Sequence, residues 1–338
     1  MKKQFKILSI LLIFLLAVFI FNFVKQQNEK QKISVITYNA QCFFDSVYTG
    51  FEFSEFSAKS KFWNEERYIE RLKNLASLLT KHRADIVFLQ EIENEQIIKD
   101  LFNFLPLYTP YKFACFSKEE NSAFGCAVLS KFPIKNMQTH QFCFFQNGKI
   151  TQISMRPLLE IKIKHPKLEL TLFALHWKSK KGDNIENDFL RLGQEYILAR
   201  QIEKLNALIE RENTEKIPCI LIAGDFNRSV EEFKPSKTKN CVLLNYKKAQ
   251  IELFSPWLIF ENDYVNKGSY CYRGEWSKID NIFLANLDYK NCRVPVFSSF
   301  YVIEDEELLD KNGVPKRYFA YKGDGFSDHL PLFAEISF

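Results

Sequence analysis

Six short apolar stretches of this sequence run out into acid, amide or imidazole residues: Tyr38-Asn39-Ala40-Gln41, Phe88-Leu89-Gln90-Glu91, Ala174-Leu175-His176-Trp177, Ala223-Gly224-Asp225-Phe226-Asn227, Ile279-Asp280-Asn281 and Phe326-Ser327-Asp328-His329. Taken singly, a carboxylate after a strand is most often solvated or capping, and a lone histidine is most often a hydrogen-bonded structural imidazole. Repetition changes the reading, because strand ends are where an α/β sheet places its ligands. Glu91, Asp225 and Asp328 offer hard oxygen donors, Asn39 and Asn227 offer amides, and His176 and His329 offer imidazoles. Oxygen donors suit Mg²⁺ or Mn²⁺, with Ca²⁺ as a further candidate. The five histidines contain no i, i+4 pair and adjoin no Cys cluster, which sets zinc protease and deaminase chemistry aside. Ser327-Asp328-His329 is not a hydrolytic triad: there is no Gly-x-Ser-x-Gly elbow, and neighbours in a strand face opposite ways. With no Walker A loop and no GxGxxG, ATP and dinucleotides have no support.

The elements that must carry these residues alternate between strand and helix. Ile33 to Tyr38 is β-branched and alternating, and Asp85 to Gln90 is too short and too uniformly apolar for anything but a buried strand. Between them Asn64 can cap a helix with Glu65 and Glu66 in its first turn and Ile69, Leu72, Leu75, Ala76 and Leu79 on one face. Strands are expected at Cys126 to Ser130, Gln152 to Ile163, Glu169 to Leu175, Pro218 to Ala223, Ile279 to Leu284 and Leu332 to Phe338, and a long helix over about Asn187 to Arg211. Residues 43 to 63, rich in Phe, and residues 304 to 325 form long insertions of the kind that are more often functional than decorative. For the first, a self-packed surface loop is an equal alternative.

At 338 residues, 46% apolar and 26% charged, the chain can bury a full core, which excludes disorder and a disulfide miniprotein. Its net charge of +5 resides entirely in residues 1 to 32, so the rest is balanced and global charge says nothing about a polyanionic substrate. Ile7 to Val24 is an 18-residue apolar run interrupted only by Ser9 and Asn22, preceded by Lys2, Lys3 and Lys6. At 1.5 Å per residue it spans about 27 Å, close to the hydrocarbon core of a bilayer, and the lysines favour a cytoplasmic N-terminus with export of the rest. Phe21 to Lys25 lacks an Ala-x-Ala-like site. The reading is therefore one N-terminal hydrophobic helix over residues 1–32, an uncleaved inner-membrane anchor facing the periplasm in preference to a cleaved signal and secretion, followed by one catalytic domain over 33–338. Eight scattered cysteines show no zinc spacing; Cys126 and Cys219 read as small core residues, and one or two disulfides are allowed but cannot be paired.

Leu89-Gln90-Glu91, Gly224-Asp225-Phe226-Asn227, Ser277-Lys278-Ile279-Asp280 and Ser327-Asp328-His329-Leu330-Pro331, in this order, resemble the endonuclease/exonuclease/phosphatase superfamily that includes DNase I. The resemblance runs from Ile33 to Phe338. It implies an α/β (α+β) four-layer α/β/β/α sandwich of two mixed β-sheets flanked by helices, and phosphoester hydrolysis assisted by a divalent cation. Carried over residue by residue, it implies Glu91 as principal metal ligand with Asn39, Gln41 and Asp328 nearby, Gln41 standing where the family often has Asp. Asp225 and Asn227 would position the attacking water and the phosphate, Asp280 would pair with His329, and His176 would be the other active-site histidine. In DNase I that second histidine has a carboxylate partner, whereas Asn121 to Cys126 supplies no acid here. Attack of water on a phosphodiester builds charge on the non-bridging and leaving oxygens, so a cation, donors and a proton source are what the chemistry needs. His329 is either general base or phosphate clamp, and the sequence does not choose.

His176-Trp177-Lys178-Ser179-Lys180, followed by Arg191 and Gln194, resembles the His-Phe-Lys-Ser-Lys segment of bacterial extracellular nucleases. Lysines directly after a catalytic strand are placed to contact flanking phosphates, so Lys178, Lys180, Arg191 and Asn39 are the expected substrate contacts. Gly268 to Trp276 offers aromatics and Arg273 that could stack on bases or pack as a β-hairpin. The expectation is a monomeric nuclease acting outside the cytoplasm, on DNA first and RNA second. A phospholipid or sphingomyelin phosphodiesterase, an inositol or sugar phosphatase, and an anchored binding protein with a dead site are the rivals.

Overall fold

Strands that are apolar on both faces have to be covered on both faces, and the most uniformly apolar runs of this chain lie at the middle of two sheets packed face to face. The computed structural model describes residues 31–338 apart from 58, 147–148, 153–154, 183, 212–215, 236–239, 247–248, 264–266 and 286–294. In chain order its elements begin β1 (Lys32–Phe43), α1 (Glu65–His82), β2 (Ile86–Ile92), α2 (Glu95–Phe104), β3 (Phe113–Lys118), β4 (Gly125–Ser130) and β5 (Ile134–His140). They continue with β6 (Cys143–Gln146), β7 (Lys149–Gln152), β8 (Leu158–Lys164), β9 (Leu168–His176), α3 (Asn184–Arg211) and β10 (Ile217–Asp225). The remainder are β11 (Lys234–Pro235), β12 (Asn240–Tyr246), β13 (Ala249–Phe254), α4 (Pro256–Ile259), β14 (Tyr270–Tyr272), β15 (Glu275–Ser277), β16 (Asp280–Ala285), β17 (Val296–Val302) and β18 (Leu332–Ser337).

One sheet has the order β17-β18-β1-β2-β4-β3 and the other β11-β12-β13-β16-β10-β9-β8-β5. β1 and β2 face β9, β10 and β16 across the sandwich, and Phe88, Leu89, Leu172, Phe173, Ile222 and Phe283 are completely buried on one face of their sheet or the other. α1 and α2 pack together outside the first sheet and α3 lies against β8, β12 and β13 of the second, which gives the expected four layers. Both sheets are mixed: β1–β2 and β9–β10 are parallel, and the other pairings are antiparallel.

Local signals place most of these elements. Asn64 caps α1, its Oδ1 accepting from Arg67 N at 3.0 Å, and Asn94 caps α2 in the same way. The expected strand over 152–163 is instead two: β7 ends at Gln152 in a hairpin with β6, and β8 begins after Pro157, which has no amide hydrogen to give a ladder. β3, β5, β12, β13 and β17 are additional to the expected strands. They lie at or toward the sheet edges, where a strand need not be apolar, and β5 reads Ile-Lys-Asn-Met-Gln-Thr-His with most side chains exposed. Cys42, Cys115, Cys126, Cys219 and Cys271 are free thiols, Cys126 and Cys219 in the core as expected; Cys143, Cys241 and Cys292 lie outside the described side chains. Among the described residues no helix is long and apolar enough to cross a membrane, and the expected anchor over Ile7–Val24 lies outside them.

The turn between β8 and β9 gives the fold a pH dependence of its own. His165 Nδ1 accepts from the amides of Lys167 (3.2 Å) and Leu168 (3.0 Å), with Phe132 and Phe338 against its ring. Burial, reinforced by Lys216, pushes the imidazole down to about 4. The unfolded chain thus binds more protons between the two pKa values, so this contribution to stability is complete above about 6.5 and is lost as pH falls toward 4. Going from about pH 7 to about pH 5 should remove about 2 kcal/mol through this residue. In urea unfolding, His165→Asn, which keeps an acceptor for both amides, should show a smaller acid loss than the parent; equal losses would refute the assignment.

Candidate active site

All four central parallel strands run out at one end of the sandwich, and β16 and β18, antiparallel to their neighbours, begin there. That polarity brings the six strand ends together. In the second sheet Asp225 is paired with His176 on one side and Asp280 on the other, so the three side chains emerge on the same face. Across the sandwich Asn39 Nδ2 donates to Asp225 Oδ2 (3.1 Å) and to Glu91 Oε1 (3.3 Å), which ties the two sheets together at the site.

Glu91 reaches this position through a distortion. The β1–β2 register shifts between Asn39 and Phe43, the β2–β4 register between Gln90 and Ile92, and Gln41, Cys42 and Glu91 take φ of 46°, 47° and 61°. Such bulges re-aim a side chain, and the left-handed backbone of a non-glycine residue costs on the order of 1–3 kcal/mol. Compensation comes from two sides. Cys42 N donates to Glu91 Oε2 at 2.6 Å. Arg71, buried on α1, donates to the carbonyls of Ala40, Gln41 and Cys42 at 2.7 to 2.8 Å, with its guanidinium over the rings of Phe43 and Tyr318. Gly224 allows the other close approach: at φ 149°, a Cβ there would sit 1.9 Å from Leu175 O.

His329 Nδ1 lies 2.7 Å from Asp280 Oδ2, which also accepts from Ser269 Oγ at 2.6 Å. Tyr270 covers the imidazole at 4.8 Å, and Ser327 Oγ both donates to Asn39 O and accepts from His329 N. Burial opposes the charge on His329, yet the Asp280 carboxylate wins and pushes it up to about 10. His176 behaves oppositely: burial, then Arg156 and His329, hold it well below the ordinary histidine range. Its Nδ1 is buried without a partner while Nε2 lies 3.4 Å from Asp225 Oδ2. A buried lone pair is cheaper to leave unsatisfied than a buried N–H, so the proton belongs on Nε2, facing the site. Burial and the nearby Asp280 push Asp225 up to about 7, and its Oδ1 accepts from Asn227 N at 2.8 Å.

Asp225, Asp280 and His329 have donor atoms within 4.8 Å of one another. Since His329 and Asp280 are bonded to each other and nearly sealed from solvent, a hydrated cation is better served by Glu91 and Asp328, whose side chains keep 17% and 23% exposure. Burial and the proximity of Glu91 raise Asp328, as expected where carboxylates gather. The two carboxylates are a hard-oxygen donor pair that fits Mg²⁺ or Mn²⁺, and Asn39, whose Oδ1 accepts from Gln41 N at 3.0 Å, orients Glu91 through Nδ2.

Two expected site residues are committed to structural contacts. Gln41, expected near the metal, accepts through Oε1 from Tyr318 N (2.9 Å) and Asp328 N (3.1 Å) and donates through Nε2 to Tyr318 O, so the amide staples the 318–328 loop. Arg191, expected to meet substrate, has a buried guanidinium that donates to Lys178 O and pairs with Asp188, shaping the turn after His176 from within. Lys180 pairs with Glu232 on the surface, and the backbone of Lys178 donates to Gln194 Oε1. Asn227 donates through Nδ2 to Trp177 O. Residues 270–277 pack as the β14–β15 hairpin, which places Tyr270 on His329. Arg71 and Arg156, which donates to Trp177 O, join the site without a sequence signal, because neither is marked by a motif or a strand end, and Ser269 lies in the 268–276 stretch noted only for its aromatics and Arg273.

Among solved structures, truncated TDP2 from Caenorhabditis elegans is 16% identical over 91% of this chain and 98% of its own, with a TM-score of 0.56. Danio rerio TDP2 complexed with single strand DNA product is 16% identical over 91% and 99%, with a TM-score of 0.55. A mannosyl-6-phosphatase of Bacteroides thetaiotaomicron is 17% identical over 90% and 100%, also at 0.55. No curated protein matches the sequence. The model of the endonuclease/exonuclease/phosphatase family, however, matches residues 34–337. With that match spanning the described domain, and the two-sheet sandwich and its convergent strand ends in place, the chain belongs to the endonuclease/exonuclease/phosphatase family, a superfamily of metal-dependent phosphodiesterases and phosphatases.

Proposed function

We propose that this protein is a divalent-metal-dependent nuclease, acting on DNA first and RNA second, and that it works outside the cytoplasm on the strength of the apolar Ile7–Val24 segment. The observation that carries the chemistry is the junction at Asp225: one carboxylate touched by Asn39 from the facing sheet, 3.4 Å from a neutral His176 and 3.9 Å from a charged His329. Asp225, raised to about 7, is poised to take a proton from an attacking water near neutral pH. His329 holds its proton up to about 10, so it acts as a clamp for the phosphoryl oxygens and a donor, not as the base. His176 offers a second, uncharged donor through Nε2. Glu91 and Asp328, with Asn39 orienting Glu91, would hold the cation, which when bound neutralises charge on the phosphate. Among the neighbours, the DNA bound to one TDP2 supports a nucleic-acid substrate.

The exposed Phe51, Phe53 and Phe62 favour a lipid phosphodiesterase as the second reading, since such enzymes need an apolar surface to meet a bilayer. The full-length chain, solubilised in detergent with Mg²⁺ or Mn²⁺, should nick supercoiled plasmid, and EDTA should abolish the nicking. Release of phosphocholine from sphingomyelin vesicles with intact plasmid and RNA would transfer the assignment to lipid.

A further inference from the structure

We propose that the trough between the Phe-rich insertion after β1 and the 317–322 loop is a docking surface for single-stranded nucleic acid leading to the scissile phosphate. The proposal rests on the nuclease reading and names how that substrate is held. The insertion is half core and half surface: Phe44, Phe56 and Trp63 are buried, with Trp63 Nε1 donating to Asp45 O, while Phe62 is 52% exposed. Opposite it Tyr321 is 53% exposed, with its ring 6.5 Å from Phe62. The two rings border an open trough of about 620 Å³ whose walls also carry Lys59, Lys61 and Glu55. Rings presented on a braced platform are what a stacking surface for bases requires, since every base has a π face.

Charge and continuity identify the occupant. Among the described residues neither Lys59 nor Lys61 makes an ion pair, and Lys322 lies over the rings of Phe319 and Tyr321 at 4.9 and 5.6 Å. Lys59 and Lys61 against Glu55 in its walls, with Lys322 beside Tyr321, make the trough cationic in a domain whose overall charge is balanced, which suits a phosphate backbone. It also connects to the catalytic end. Arg317 stacks on Phe319 and reaches to 3.8 Å from Asp328 Oδ2, and the backbone of Tyr318 is held by Gln41. A strand whose phosphate sits at Asp225 and His329 therefore has a path over Arg317 and Phe319 to the ring pair. Duplex DNA hides its base faces, so the rings select unpaired bases.

The test measures binding of a fluorescent oligothymidylate to the full chain in EDTA, over a range of salt, alongside Mg²⁺-dependent hydrolysis of the strand and of bis(p-nitrophenyl) phosphate. The Phe62→Ala/Tyr321→Ala double variant should weaken strand binding by about tenfold or more. Its effect should appear in KM for the strand and not in turnover of the small diester. Phe62→Leu/Tyr321→Leu, which keeps apolar bulk without π faces, should also bind the strand weakly. Lys59→Gln/Lys61→Gln should lower the salt slope by about 0.7 for each phosphate that is no longer neutralised. Wild-type strand affinity in either ring variant overturns the proposal, as does selective loss of binding to phosphatidylcholine–phosphatidylglycerol vesicles, which would assign the surface to lipid. A parent enzyme that cuts neither DNA nor RNA removes the nuclease reading itself, whereas a DNA-cutting enzyme indifferent to the ring substitutions removes only the docking surface.

Discussion

His329→Ala is expected to lower phosphodiester hydrolysis by about a hundred- to ten-thousandfold, the range for loss of a positioned proton donor. The size follows from geometry. His329 is the one imidazole in this site that a buried carboxylate keeps charged through neutral pH, and its Nε2 lies 3.9 Å from Asp225 Oδ2, the proposed base. The same substitution leaves Asp280 buried with only Ser269 to satisfy it, and breaking a buried pair from one side costs about 3–5 kcal/mol. Stability and chemistry can be separated. His329→Ala/Asp280→Asn removes both members, so its melting temperature should recover toward the parent while its activity does not. Recovery of activity together with stability would show that His329 only supports the fold.

Glu91→Gln is expected to be nearly as damaging, for a different reason. The amide keeps one acceptor, its carbonyl oxygen, which can serve Cys42 N at the bulge while the NH2 turns toward Asn39, so the bulge should persist, but the anionic ligand is gone. Calorimetric titration with Mn²⁺ should show affinity falling by at least about a hundredfold, and Mg²⁺-supported nicking should fall in parallel. Unchanged Mn²⁺ affinity would place the cation on the Asp225, Asp280 and His329 cluster instead.

Much of this site is legible in one dimension because strand polarity does the assembling. Once buried strands can be recognised, the residues at their ends are known; parallel neighbours deliver Glu91, His176 and Asp225 to one edge, and antiparallel β16 begins there with Asp280. What escapes is held by long-range hydrogen bonds that leave no periodic trace. Arg71 sits on a helix face expected to be apolar, and its bonds to the carbonyls of residues 40–42 exist only because β1 bulges there. Gln41 carries a residue type that fits a polar site, yet a left-handed backbone turns its amide toward Tyr318. Arg191 illustrates the opposite error, since a cation near a catalytic strand suggests phosphate until its burial is seen. The unexpected strands lie toward the edges of the sheets, where half-exposed sequences such as β5 look like loops.

β18 inserts between β17 and β1, and His329 enters the site just before it. The groups needed for hydrolysis are thus divided between early and late parts of the chain and have no catalytic geometry until this pairing of high contact order closes. The imidazole therefore joins the carboxylates only when the last strand docks beside β1, so the compartment that hosts this docking is the one in which the site is first complete.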